Sequence, residues 1–69
     1  MTWVLVDNTL NWVGEWDETA GYDQYDTVLY KSDGASEWHA FTSKTGHNVG
    51  NQPTISPAYW RRVYQEQFI

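Results

Sequence analysis

The chain has 69 residues, a formal net charge of -5 and no cysteine, which makes it one domain near the lower size limit for folding without a disulfide or a structural metal. Only Lys31, Lys44, Arg61 and Arg62 carry positive charge, so a nucleic-acid partner is excluded for lack of a basic phosphate-binding face, and an anionic membrane surface is disfavoured on the same ground. No stretch approaches the length of a transmembrane helix, and the opening MTWVLVDNTLNW lacks the basic and long apolar regions of a signal peptide.

Stability has to come from an aromatic core. The chain holds five Trp, five Tyr and two Phe, and each buried ring removes roughly 150–250 Å² from water. So many rings exceed what a small core hides easily, and those left outside are contact surface.

Trp3 to Val6 is an apolar run bounded by Asp7-Asn8. It is expected to form a strand buried on both faces, or one that pairs with another chain and so makes a homo-oligomer. Leu10 to Trp16 alternates Leu10, Trp12 and Trp16 across Gly14, and a glycine inside such a run signals a bulge or a close backbone approach. Asp17 to Asp23 reads as a loop. Asp26 to Lys31 alternates as a strand, with Asp26, Val28 and Tyr30 on one face and Thr27, Leu29 and Lys31 on the other. Ser32 to Ser36 carries Asp-Gly at its centre, a strong hairpin signal, and Glu37 to Thr42 returns as the partner strand. Pairing Val28 and Tyr30 with Trp38 and Ala40 gives an inner face, leaving Leu29, His39 and Phe41 outside. Ser43 to Pro57 is a long irregular loop, of a length that is functional or held against the core by its own contacts. Tyr59 to Tyr64 closes the domain as a last strand, and Gln65 to Ile69 is a tail ending in Phe68-Ile69.

Charged constellations offer little chemistry. Asp17, Glu18, Asp23 and Asp26 are close in sequence, but they lack the fixed loop spacing of a calcium motif, and solvated turn carboxylates are commoner. Asp26 is better used accepting backbone hydrogen bonds before its strand. A glycosidase pair needs a cleft that raises one carboxyl pKa, which a chain this short hardly builds. His39 and His47 have no third ligand at a suggestive spacing and read as surface polar groups. Of Arg61 and Arg62, one is expected to stack on an aromatic ring and the other to pair with a carboxylate. Neither an enzyme nor a bound cofactor or metal is expected.

Trp16, Tyr22, Asp26, Val28, Tyr30, Gly34, Trp38, Ala40, Pro53 and Trp60 follow in order a pattern that resembles the small chitin-binding carbohydrate-binding modules of families 5 and 12, including relatives embedded in phage tail and virion proteins. That pattern is a Trp, then Tyr-x-x-Gly-Asp-x-Val-x-Tyr, a turn with Gly, an aromatic-x-Ala, a loop with Gly and Pro, and a final Trp before a short apolar strand. The resemblance spans Trp16 to Val63 and implies an all-β fold: one small antiparallel sheet or twisted hairpin with a long irregular loop and an aromatic core. It divides the chain into an N-terminal strand or extension over residues 1–15, available for pairing with another chain, a β domain over 16–64 and a tail over 65–69.

Two departures bear on function. Tyr25 stands where the family usually has Gly before the Asp. The exposed aromatic pair that follows the Ala and stacks on sugar in chitin-binding members is replaced by Phe41-Thr42-Ser43. A fold does not transfer function without its site. The rings that the pattern does not assign to the core, Trp12, Tyr25, Phe41 and Tyr59, are the candidate contacts for a glycan or a partner chain. Asn11, His39, His47, Asn48 and Gln52 are neighbouring polar groups able to bond hydroxyls.

Two readings stay open. In one, the chain is a non-catalytic accessory protein of a phage virion, a decoration or tail-associated part whose partners are capsid or tail proteins and host or environmental glycans. In the other, it is a stand-alone module, extracellular, that binds a chitin-like polysaccharide. A strand offered at Trp3 to Val6 and the apolar Phe68-Ile69 suit docking to neighbouring chains.

Overall fold

The computed structural model describes residues 5–31 and 37–64. Trp3 and Val4 of the Trp3 to Val6 run, the Ser32 to Ser36 turn and the tail from Gln65 lie outside the described residues. What is described is all-β. The strands are β1 (Asn11–Glu15), β2 (Gly21–Tyr22), β3 (Asp26–Tyr30), β4 (His39–Ser43), β5 (Asn48–Val49) and β6 (Trp60–Val63). Four of them form one sheet in the order β1-β3-β4-β6, and β2 pairs with β5 in a second, two-stranded sheet.

The main sheet is mixed rather than wholly antiparallel. Strands β3, β4 and β6 are antiparallel neighbours, while β1 runs parallel to β3. The first strand therefore belongs to the main sheet. Parallel neighbours need a crossover. Here residues 16–25 make it, passing over one face of the sheet with Trp16, Ala20 and Tyr22. Those three pack on Val28, Phe41 and Trp60. The other face holds a second cluster of Leu10, Ala40 and Val63, with Leu5 and Leu29 against it. Both faces are covered, which lets a short chain bury the central strands from two sides.

Register decides which ring goes where. Val28 lies opposite Phe41, and Leu29 opposite Ala40. Val28 and Phe41 therefore share one face, and Ala40 belongs to the other. This corrects the expected inner face: a one-residue change of pairing moves every side chain of a strand to the opposite side. Phe41, expected outside, is only 7% exposed, and Trp38, expected inside, precedes β4 and is 41% exposed. Trp38 carries the Lys31 ammonium over its ring at 5.5 Å.

The larger cluster is built edge to face. Tyr22 meets Trp60 at 5.4 Å and Trp16 meets Tyr30 at 5.3 Å between centroids, each pair worth about 0.5–1.5 kcal/mol beyond its buried area. Two polar tips are satisfied locally: the Tyr22 hydroxyl accepts from the Asp17 N–H at 2.8 Å, and Trp60 Nε1 donates to the Asn51 carbonyl at 2.7 Å, whereas Trp16 Nε1 is buried with no hydrogen-bond partner among the described residues. Trp60 thereby ties the long loop to the core.

Three turns frame the sheet, and two repeat the same chemistry. Asp7 and Asp17 each accept, on one carboxylate oxygen, the N–H and the hydroxyl of the Thr two residues on, at 2.7–2.9 Å. Each also accepts on its carbonyl the N–H of the third residue on, Leu10 or Ala20. Such side-chain-to-backbone bonds make Asp-x-Thr a self-contained turn. The loop over 44–57 is held against the molecule by Asn48, which is buried; its amide donates to Ser43 Oγ and the Tyr59 carbonyl, and its oxygen accepts from Asn51.

Candidate ligand-binding face

The third turn positions the site. In Asp23-Gln24-Tyr25-Asp26 the Asp26 N–H donates to the Asp23 carbonyl at 3.0 Å. Tyr25 is held at φ +74° while Gln24 is not left-handed, which makes this a type II turn. The third position of such a turn normally takes Gly, and a bulky residue there costs about 1–2 kcal/mol. Tyr25 is kept in place from three sides. Its N–H donates to the Ser43 carbonyl and its carbonyl accepts from the Asn11 N–H, both at 2.9 Å, and the Thr27 hydroxyl reaches the same carbonyl at 3.1 Å. The Asp26 carboxylate locks the turn by accepting the Asp23 N–H and the Asn11 side-chain amide, each at 2.9 Å. Asp26 thus works as the expected turn acceptor.

Strand pairing then assembles a face. Trp12 lies opposite Thr27, Thr27 opposite Thr42, and Thr42 opposite Arg61. The four make one row on the side of the sheet away from Val28 and Phe41. One step along, the Tyr25 N–H bonds Ser43 and the Lys44 N–H bonds the Tyr59 carbonyl at 2.8 Å, which sets Tyr25, Lys44 and Tyr59 as the next row. Thr27 and Thr42, in the middle of the first row, are buried. Gln24, Tyr25, Thr42, Ser43, Lys44 and Arg61 line an open depression of about 260 Å³.

Of the four candidate rings, the structure brings three to this end of the molecule. Trp12, Tyr25 and Tyr59 are 37%, 49% and 41% exposed. Phe41 is not among them; it is packed with Tyr22, Val28 and Trp60 on the opposite face, so its assignment as a contact residue is corrected. The polar neighbours read from the sequence do not line the depression. Asn11 is engaged by Asp26, Asn48 is buried in the loop anchor, Gln52 bonds Thr54 and His39 lies opposite Tyr30.

Sequence reasoning missed the polar groups that do line the depression: Gln24, Lys44 and Arg61. Alternation contained the signal for Arg61, since a buried Trp60 turns its neighbour to the other side. Arg62 stacks on Tyr64 at 5.3 Å, as one of the two arginines was expected to do. The other expectation differs: among the described residues the Arg61 guanidinium has no carboxylate partner. Lys44 Nζ donates to the Pro57 carbonyl at 3.1 Å, which uses one of the three N–H donors of its ammonium.

The acidic residues do not converge. Among the described residues no three His, Cys, Asp or Glu side chains come together as a metal site, and the carboxylates of Asp17 and Asp26 serve their own turns. Among the same residues no helix is long and apolar enough to cross a membrane. The depression therefore presents one exposed phenol, two cations and an amide at the end of the sheet, a set suited to holding a ring that bears polar substituents. No protein-family model, curated protein or solved structure matches the chain.

Proposed function

We propose that the chain is a non-catalytic module that holds a polysaccharide on the face carrying Trp12, Tyr25 and Tyr59, acting as an accessory part of a phage virion. One observation carries the glycan reading: an exposed tyrosine is kept at a left-handed position where glycine costs less. Strain of that kind is retained where the side chain serves a purpose outside the fold. A flat ring flanked by Lys44, Arg61 and Gln24 offers the stacking surface and the hydrogen bonds that a pyranose needs. The resemblance to carbohydrate-binding modules supports the same reading and is the support for the virion.

Tyr25→Gly tests it. Glycine relieves the turn, so the variant is expected to fold with unchanged or slightly raised stability while losing at least about tenfold in affinity for soluble polysaccharide, read as the change in tryptophan fluorescence. A variant that binds as well as the parent chain would falsify the assignment of this face.

A second reading, a purely structural virion part, is favoured by the outer strands. Among the described strands β1 and β6 are the outer two of the main sheet, and Val13 in β1 and Tyr64 just after β6 are exposed; an edge strand is a template for a neighbour's chain. A solution mass well above 8.1 kDa, without polysaccharide binding, would favour that reading over the first.

A further inference from the structure

We infer that the ligand of this face is an acidic polysaccharide, a chain of uronic-acid type whose carboxylates meet Arg61 and Lys44. The inference rests on the glycan-binding reading and names the substrate class.

The argument starts from supply and demand of charge. Nine carboxylate side chains outnumber four cations, and two of those cations, Lys31 and Arg62, lie over the Trp38 and Tyr64 rings. Arg61 finds no carboxylate among the described residues, and Lys44 is turned to a main-chain carbonyl instead. Both line the same depression, whose other members are Gln24, Tyr25, Thr42 and Ser43. An acidic molecule has thus placed two of its four cations together beside an exposed ring.

Geometry specifies the rest. Arg61 lies opposite Thr42, and Lys44, just past the end of β4, is two residues beyond Thr42 on the same side. The two are diagonal neighbours, about 7–8 Å apart at Cα. A guanidinium presents a planar fork that matches a carboxylate with two parallel bonds, whereas an ammonium is a point charge. Tyr25 and Arg61 are on strands separated by β4, roughly 10 Å across the sheet at the usual strand spacing. That separation exceeds one pyranose ring. One sugar stacks on Tyr25 while the carboxylate of a neighbouring unit reaches Arg61, so the face selects a chain over a monosaccharide.

Calorimetric titration of the full chain with three probes tests this: a linear oligouronate, an N-acetylglucosamine oligomer of equal length, and poly-glutamate. The oligouronate is expected to bind at least about tenfold more tightly than the neutral oligomer, and Arg61→Gln to remove that advantage, since a charge-assisted bond is lost. Arg62→Gln, a cation on the opposite face, is expected to leave it intact. Equal affinity for the acidic and neutral oligomers overturns the acidic class while leaving the glycan module standing. Poly-glutamate bound as tightly as the oligouronate, or an unchanged Arg61→Gln, overturns it too. If none of the probes binds, the glycan reading itself fails.

Discussion

A single oxygen atom can organise a turn in this protein. Asp17 Oδ1 accepts both the N–H and the hydroxyl of Thr19, and these bonds, the backbone one foremost, hold its carboxyl below the ordinary aspartate value. A carboxylate whose pKa is lower folded than unfolded adds stability above its unfolded pKa. That contribution is lost as pH falls through the folded value. Because Asp17 is fully exposed, the expected readout is the titration and not a melting point. In Thr19→Ala the backbone bond survives, so the Asp17 pKa should rise by the smaller share of its depression, as followed by the carboxyl carbon resonance. Full recovery of the ordinary value would mean that the hydroxyl carries the turn. Tyr25 is the contrasting residue. Its neighbours spend their hydrogen bonds on holding a conformation it would not choose, and the freedom it gives up is what aims the ring.

At the scale of the element, β1 shows how one residue sets a strand's course. Gly14 has φ +126° and sits where the pairing with β3 skips from Trp12 to Gly14, leaving Val13 as the extra residue. A Cβ added there would meet nothing within 4 Å, so any cost of Gly14→Ala is conformational. It should destabilise the domain by about 1–3 kcal/mol in chemical denaturation, a large part of what a domain this size possesses. A neutral result would show that the bulge tolerates another backbone. The glycine could be read from the sequence because its context is a strand pattern, and alternation likewise marked β3, β4 and β6. The pairs β2 and β5 could not be read: two residues have no period, and Gly21–Tyr22 looks like turn material. Register was equally hidden, because alternation says which residues share a face of one strand and not which face its partner offers. That is why Phe41 changed sides, and why Lys44 and Arg61, which only pairing brings beside Tyr25, went unrecognised. Trp12, Tyr25 and Tyr59 were legible as rings left over from the core, whatever the register.

For the whole molecule, the net charge and the proposed ligand oppose each other, and distance decides which matters. The chain spans 30 × 28 × 18 Å. At about 0.01 M salt the Debye length is about 30 Å, so an approaching polyanion feels the total of -5 and is repelled. At about 0.15 M the length falls to about 8 Å, and only Lys44 and Arg61 act on a carboxylate entering the depression. The association rate for an oligouronate is therefore expected to rise as salt increases across this interval, and to fall only at higher salt when the contact pairs are themselves screened. Proteins with a basic binding face behave in the opposite way, losing affinity from the lowest salt upward. Stopped-flow tryptophan fluorescence across the salt series separates the two. A rate that declines steadily from about 0.01 M would mean that the field of the depression already outweighs the rest of the molecule at long range. A maximum near physiological ionic strength would show an acidic protein that recognises an acidic chain through contact alone.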